Sequence, residues 1–350
     1  MLIVPISGLL RIVCVLCALC GLSLCWQQPT QAAEILVIES YHPEHPWDAS
    51  YRQALQQRLG KNHTLHFRHL DTKRLPREQF AVQADAVWQQ YLALKPQLVI
   101  IGDDDGINLL APRISAHGTP VVYLGMNGNP RRNNLYGLKN MTGVLERPLM
   151  KRNIREMGEL VPHARQALVL FDGSEVSMTA IDEEFRGRNS LMLGPITVDI
   201  RLLSNFESWQ QSVLQAKAQG YDMIFIGLYH TLRDAQGLYI EPEQVASWTG
   251  EKTPLPLFSF WDFTVGPKQA CGGLVMSGAI QGDAAATLAE AILAGQSAHA
   301  LPPRTASRGD YWFSHAALSR WNLQLPADMA PGPVDGLTIQ GPGSEGRSNR

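Results

Sequence analysis

Cysteine is scarce in this chain and is concentrated at its start. Four of the five cysteines, at positions 14, 17, 20 and 25, come early, which leaves Cys271 as the single later thiol. One thiol cannot form an internal disulfide, so the folded part must be stabilised by its core. The Cys-x-x-Cys-x-x-Cys spacing resembles a metal cluster, but an apolar leader explains the same cysteines as small hydrophobic residues.

The chain has no excess of charge of either sign. It carries 30 Lys and Arg against 32 Asp and Glu, a net charge of −2, and no basic run, which argues against a nucleic-acid partner. It also lacks a nucleophile elbow, a P-loop, a dinucleotide fingerprint and a zinc-protease motif. We therefore predict a protein that is not an enzyme and needs no cofactor or metal. The alternative is a cleft hydrolase or lyase that uses acidic residues with His42 or His230.

The first 33 residues have the features of a secretory signal peptide. Arg11 is their only charged side chain, a long apolar run follows it, and Ala32 and Ala33 end the segment. We predict export and cleavage near Ala33. The alternative is a retained membrane anchor, because the apolar run approaches the ~18 residues needed to span a bilayer, although no charged stop-transfer run follows.

Short, continuous apolar runs alternate with helical patterns along the rest of the chain. Such runs are typical of strands that are buried on both faces of a parallel sheet. A first series predicts strands at 35–38, 64–70, 98–101 and 120–124, with helices at 47–59, 77–94 and 105–116. A second series predicts strands at 167–171, 196–203, 223–226 and 257–260, with helices at 148–160, 175–185, 206–218 and 241–248. Two such series predict an α/β fold with two doubly wound, parallel-sheet lobes, which meet near residues 140–144.

The segment Gly266–Gly295 suggests a strand, a turn and a helix. The turn is predicted at residues 281–283, with Gly282 and Asp283 at the helix start and Gly295 at its stop. Beyond Pro326 the chain is rich in Pro, Gly and Ser, which predicts a disordered tail.

Candidate site residues follow from the predicted strand ends. Ligands of open parallel sheets bind beyond the carboxyl ends of the strands, and two facing sheets would place these ends along one cleft. We therefore predict that a ligand is held by side chains that follow the strands or lie at the joint. These side chains also suit stacking or hydrogen bonding. They are Ser40, Tyr41, Trp47, Asp103, Asp104, Asn127 and Thr142 from the first lobe, and Asp172, Tyr229, His230, Trp261 and Asp262 from the second.

Several of these groups have a structural alternative. The loop Glu39–Trp47 is either a ligand platform or an aromatic loop that packs over the sheet edge. The acids Asp103–Asp105 suggest a divalent cation, but Asp104 or Asp105 also suits a cap for the next helix; we favour capping, with one acid facing the cleft. Asn127 lies in a turn-forming sequence, and Asp172 also suits a helix cap.

Three segments together resemble one family, the extracytoplasmic ABC-type substrate-binding proteins related to the tryptophan/tyrosine-binding group. They are Ile35–Trp47, Gly272–Gly295 and Trp312–Pro326, the last being similar to the family's closing helix. The sensor domains of some membrane histidine kinases share the first of these. The resemblance implies a type I periplasmic binding protein, with two α/β lobes, three crossovers and a hinge that closes on a small molecule. Pro267–Cys271 departs from the family, which often has more glycine there, and this affects the expected hinge.

The resemblance also implies two discontinuous lobes and a role. Between the predicted signal peptide at 1–33 and the predicted disordered tail at 327–350, we expect 34–143 and 265–305 to form the first lobe and 144–264 and 306–326 the second. We expect a monomeric periplasmic receptor that captures a small molecule, an amino acid or another polar or aromatic solute, for a membrane ABC permease. The alternative is a ligand-sensing co-receptor for a membrane histidine kinase or cyclase.

Overall fold

The computed structural model describes residues 32–133, 135, 137–306, 309–327 and 329, together with the backbone of 333–334 and 338–340. The predicted signal peptide, residues 1–33, lies outside this part of the chain except for its last two positions. Most of the predicted disordered tail, 327–350, lies outside it as well. Among the described residues, no helix is both long enough and apolar enough to cross a membrane.

The first sheet consists of parallel strands covered by helices on both faces. Its strands are β1 (Glu34–Glu39), β2 (Thr64–His69), β3 (Leu98–Gly102), β4 (Val121–Met126), β5 (Met141–Leu145) and β12 (Arg304–Thr305). They lie in the order β12-β5-β4-β3-β1-β2, and every pair is parallel. The covering helices are α1 (Pro46–Leu59), α2 (Phe80–Leu94), α3 (Asp103–Ala116) and α8 (Gly278–Leu293).

The apolar run of β1 explains why both faces are covered. Successive side chains of a strand point to opposite faces, and here both sets are buried. Ile35 and Val37 belong to a cluster that includes Tyr51 of α1, whereas Leu36 and Ile38 pack in a second cluster on the opposite face of the sheet.

The second sheet repeats this arrangement with one exception. Its strands are β6 (Gln166–Asp172), β7 (Ser190–Leu193), β8 (Ile196–Leu203), β9 (Met223–Ile226) and β10 (Leu257–Ser259), in the order β10-β9-β6-β8-β7. Its helices are α4 (Met150–Leu160), α5 (Glu175–Phe185), α6 (Phe206–Gln215) and α7 (Pro242–Lys252). The two doubly covered sheets confirm the predicted α/β fold class. The exception is β7, an antiparallel edge strand that the sequence did not predict because its apolar run is only three residues long, Leu191–Leu193.

A small third sheet lies against the second one. Strand β11 (Gly272–Val275) is antiparallel to β13 (Asp310–Ser314), and the backbone of β15 (Thr338–Gln340) and β14 (Pro333–Val334) continues the sheet. Asn153 of α4 holds β11 beside β10, because its amide donates to the Ser259 carbonyl (2.8 Å) and accepts from the Leu274 N–H (3.1 Å). Helix α8, by contrast, packs against α1 and β4 of the first sheet. The lobe boundaries stay a prediction. Because β11 lies beside the second sheet and α8 packs on the first, we propose that the chain returns to the first lobe after Met276 and not at residue 265.

The helix that follows this boundary begins earlier than predicted. Helix α8 starts at Gly278, where the hydroxyl of Ser277 caps it by accepting from the Ile280 N–H (3.3 Å). The predicted turn at 281–283 therefore lies inside the helix. Gly282 has a packing role instead, because a Cβ there would lie 2.7 Å from the Tyr51 carbonyl oxygen of α1.

Three other local predictions also change. Helix α3 has Gly102 as its N-cap residue and no side-chain cap, so the predicted capping by Asp104 or Asp105 is wrong. The joint at 140–144, which the sequence predicts as a short β-like crossover, is strand β5 and a full member of the first sheet. The expected closing helix from Trp312 is first strand β13 and then a short helix α9 (His315–Arg320), because aromatic residues at 311–313 favour strand pairing.

Candidate functional site

A buried cavity lies between the two sheets, at the carboxyl ends of their strands. From the first sheet it is lined by Tyr41, His45, Trp47, Lys73, Asp103, Asn127 and Glu146. From the second it is lined by Val176, Leu228, His230, Trp261 and Phe263. The enclosed space is about 20 Å³ for the centre of a water-sized sphere, which is room for about one water molecule. The lobes are thus closed over the site, and a larger ligand requires them to separate.

Two tryptophans each hold a buried carboxyl group at this cavity. The Trp47 Nε1–H donates to Asp103 Oδ1 (3.0 Å), and the Trp261 Nε1–H donates to Glu146 Oε1 (2.6 Å). Asn127 Nδ2 donates to the second oxygen of Glu146 (3.1 Å). Among the described residues, Asp103 Oδ2 has no hydrogen-bond partner although it is buried. This oxygen is therefore open to a donor from a ligand.

Burial makes both carboxyl groups weak acids. It raises the pKa of Glu146 to about 8, although the hydrogen bonds from Trp261 and Asn127 oppose the shift. Burial, together with the nearby carboxyls of Asp48 and Glu146, raises the pKa of Asp103 well above its usual range. Around pH 7 the Glu146 side chain is therefore mainly protonated in the closed, ligand-free site.

A row of ring contacts crosses the cleft from one lobe to the other. The ring centroids of Tyr41 and His45 are 4.6 Å apart, those of His45 and His230 are 4.7 Å apart, and those of His230 and Tyr229 are 4.4 Å apart. Burial lowers the pKa of His45 well below its usual value and that of His230 to about 3. Both imidazoles are therefore neutral, which allows them to lie in contact.

One buried base and one buried acid complete the polar groups of the site. The Lys73 ammonium lies 4.5 Å from the centroid of the Tyr41 ring. Burial opposes ionisation of Asp172, but Lys73 and the hydroxyls of Ser174 and Ser177 lower the pKa of this carboxyl. Lys73 and Asp172 thus carry opposite charges on the two sides of the cleft.

Six of the twelve predicted site residues line this cavity, and two more support it. The lining six are Tyr41, Trp47, Asp103, Asn127, His230 and Trp261. Tyr229 stacks on His230, and Asp172 accepts a hydrogen bond from the Thr231 N–H (3.0 Å) beside it. Their roles in ligand binding stay predictions.

The other four predicted residues make contacts outside the cavity lining. Ser40 donates to the Gly102 carbonyl, and Thr142 donates to the Leu301 carbonyl. Asp104 accepts from the backbone N–H groups of residues 127 and 128, so it holds the loop after β4. Asp262 lies in the 3-10 turn Asp262–Thr264. Helix starts and turns use small polar side chains, as ligand sites do. A position just after a strand therefore did not distinguish these four residues from those that line the cavity.

The sequence did not single out His45, Lys73, Glu146, Val176, Leu228 or Phe263. Glu146 directly follows β5. It therefore meets the criterion used for the other candidates, a position just after a strand, once residues 141–145 are known to form a strand. Lys73 lies in the loop after β2, and His45 lies in the aromatic loop that was considered as a platform. Val176 and Leu228 are apolar, and nothing in the sequence distinguishes an apolar side chain at a site from one in the core.

Exposed ion pairs join the two lobes at the mouth of the cleft. Arg132, in the loop after β4, contacts Asp182 (2.6 Å) and Glu183 (3.7 Å) of α5. Arg77 of the first lobe pairs with Glu175 at the start of the same helix. All the cations belong to one lobe and all the anions to the other, so these pairs favour the closed arrangement modestly.

A larger cavity, of about 590 Å³, lies within the first lobe, between the loop after β4 and residues 299–303. Its walls include Leu135, Met141, Leu301 and Pro302. We favour the smaller interlobe cavity as the functional site, because both lobes contribute to it and because carboxyls with raised pKa converge there. In the described part of the chain, no group of three or more His, Cys, Asp or Glu side chains is arranged to hold a metal ion.

Several solved structures are similar to this chain. The ABC domain from Streptococcus pneumoniae in complex with L-Trp is 17% identical, covers 85% of this chain and 97% of its own, and has a TM-score of 0.63. A conserved domain protein from Vibrio cholerae has a TM-score of 0.64 at 16% identity, with the same coverage of 85% and 97%. The ligand-free, open structure of a substrate-binding protein with adhesive properties from Clostridium difficile has a TM-score of 0.61 at 14% identity, also covering 85% and 97%.

At these identities the likeness concerns the fold alone. The chain has the type I periplasmic binding protein fold, as the resemblance in the sequence implied. No protein-family model matches the sequence, and the comparison with curated proteins gives no match.

Proposed function

We propose that this protein is a solute-binding receptor, which captures a small molecule in the interlobe cleft and delivers it to an ABC importer. The observation that carries the proposal is the buried cavity at the strand ends, to which both lobes contribute aromatic and ionisable side chains. A receptor needs such a site, because a ligand favours the closed state only through contacts with both lobes.

The lining suits a polar molecule with a planar or apolar part. Trp47 and Trp261 offer ring faces, and the unpartnered Asp103 oxygen offers a hydrogen-bond acceptor. The similar domain from Streptococcus pneumoniae holds L-Trp, so an aromatic amino acid belongs in the first set of compounds to test. Delivery to a permease implies a periplasmic location, which agrees with the predicted signal peptide. The residues convert no ligand in this proposal, so the protein is not an enzyme.

Native mass spectrometry of protein purified without dialysis tests capture, because a bound solute adds its mass to that of the chain. Small-angle scattering, before and after the ligand is removed, should show that the two lobes separate. Trp47→Phe removes the indole N–H that holds Asp103, and we expect it to weaken binding by about tenfold. Trp248→Phe, on α7 and outside the cavity lining, is the matched control and should bind normally.

Transport is tested separately, by uptake of the identified solute in cells with and without this protein. Loss of uptake supports the importer role, whereas normal uptake with intact binding favours the co-receptor alternative. A receptor role is contradicted if no compound binds saturably and the lobes keep the same separation under all conditions.

A further inference from the structure

We propose, on the basis of the receptor function above, that the solute is an organic amine whose ammonium group lies between the Asp103 and Glu146 carboxyls. Its apolar part would contact the surrounding rings, and its binding would release a proton. This assigns the chemical class of the ligand, which the fold does not define.

The Asp103 carboxyl is the first reason. It is only 2% exposed and lines the cavity, and its Oδ1 is held by the Trp47 indole. Its Oδ2 has no hydrogen-bond partner among the described residues. A buried oxygen without a partner is destabilising, and an N–H donor of an ammonium group supplies the missing bond.

The Glu146 carboxyl provides the second contact. Trp261 and Asn127 donate to its two oxygens and so orient the group at the cavity wall. Each carboxylate oxygen accepts more than one hydrogen bond, so both remain able to accept from a ligand. These donors position the carboxyl without adding a positive charge.

The rings around the cavity favour a cation as well. Tyr41, Trp47, Trp261 and Phe263 all line it, and the Trp261 and Phe263 rings are stacked with centroids 6.3 Å apart. A cation is attracted to the faces of such rings. Lys73 already makes this contact with Tyr41, at 4.5 Å from the ring centroid.

The charge balance of the cleft argues against an anionic ligand. Lys73 is the buried base that lines the cavity, and the ionised Asp172 interacts with it from the second lobe. The charge of Lys73 is thereby balanced within the protein. Lys73 and Arg147 only partly offset the burial that disfavours the charged forms of Asp103 and Glu146, so a ligand cation would stabilise a carboxylate there.

The protons balance in a single exchange. In the empty site the Glu146 carboxyl is mainly protonated around pH 7, because burial raises its pKa to about 8. When an ammonium ion enters, the O–H bond of Glu146 breaks and its proton passes to the solvent. The carboxylate that forms accepts an N–H of the ammonium, so the site gains one positive and one negative charge and its net charge is unchanged.

Isothermal titration calorimetry with three matched probes tests the inference. The probes are 2-phenylethylamine, 3-phenylpropionate and 3-phenylpropionamide, which carry the same ring with a positive, negative or neutral end. We expect the amine to bind and the acid not to bind. In two buffers of different ionisation enthalpy at about pH 7, the heats should report about one proton released per amine bound.

Two amide variants test the assigned residues. Glu146→Gln and Asp103→Asn keep the shape of the neutral acids, so we expect both to fold. Each should weaken amine binding by about tenfold or more, and the double variant should release no proton. Glu184→Gln is the control, because burial also raises the pKa of Glu184 but this residue of α5 does not line the cavity.

Each outcome has a distinct meaning. Stronger binding of the acid or the amide than of the amine, binding of the amine without proton release, or wild-type affinity in both amide variants overturns the inference. If only the acid or the amide binds, the amine assignment fails while the receptor function stands. If none of the probes binds and purified protein carries no solute, both proposals are contradicted.

Discussion

Replacing His230 with phenylalanine should make the protein less sensitive to acid. His230 is buried against His45 of the other lobe, and burial lowers its pKa from an ordinary value of 6.5 to about 3. Such a histidine binds fewer protons in the folded state than in the unfolded state. The free energy of unfolding therefore falls as the pH drops below 6.5, and continues to fall until the pH reaches about 3.

The size of the effect follows from this pKa. Keeping His230 neutral at pH 5, which is about 1.5 below its ordinary pKa, costs about 2 kcal/mol at about 1.36 kcal/mol per pH unit. Phenylalanine keeps an aromatic ring at this position and does not titrate. It removes no hydrogen bond from Nδ1, which has no partner among the described residues.

Urea unfolding of both proteins, at several values between pH 5 and pH 8, measures the difference. The free energy of unfolding of His230→Phe minus that of the wild type should rise by about 2 kcal/mol from pH 8 to pH 5. Titration of Glu146 and Asp103 acts in both proteins and cancels. His299→Phe, at an exposed position, should give a constant difference. A constant difference for His230→Phe as well would refute a neutral, buried His230.

Three further changes test the parts of the fold that hold the site. Arg132→Ala removes exposed ion pairs between the lobes, so ligand binding should weaken by less than about 1 kcal/mol, and titrations in about 1 M salt should abolish the difference. Ser277→Ala removes the N-cap of α8 and should lower the free energy of unfolding by about 1 kcal/mol, with Ser277→Asp close to wild type. Gly282→Ala should lower it by about 1–3 kcal/mol, because the new Cβ would lie 2.7 Å from the Tyr51 carbonyl; a stability equal to that of wild type would show that α1 and α8 can move apart.

Local sequence patterns determined the fold class and the position of the cleft. The apolar runs of β1, β3 and β6 lack polar alternation, and in the structure these strands are covered on both faces. Strands of this kind share one carboxyl edge, so side chains that follow them in sequence meet in space. For this reason the amino-acid sequence alone predicts that Trp47, Asp103 and Trp261, which are far apart in the chain, meet at one site.

The tertiary structure alone decided which polar residues face the cleft and what state they are in. Asp103 and Asp104 are adjacent in sequence, but one lines the cavity and the other binds the backbone of the next loop. Glu146 follows β5, a β-like stretch that the sequence indicates only as the joint between the lobes, because Thr142 and Gly143 interrupt its apolar run. The neutral contact between His45 and His230 depends on burial by both lobes, because a pKa responds to the surrounding volume and charges, which sequence neighbours do not supply.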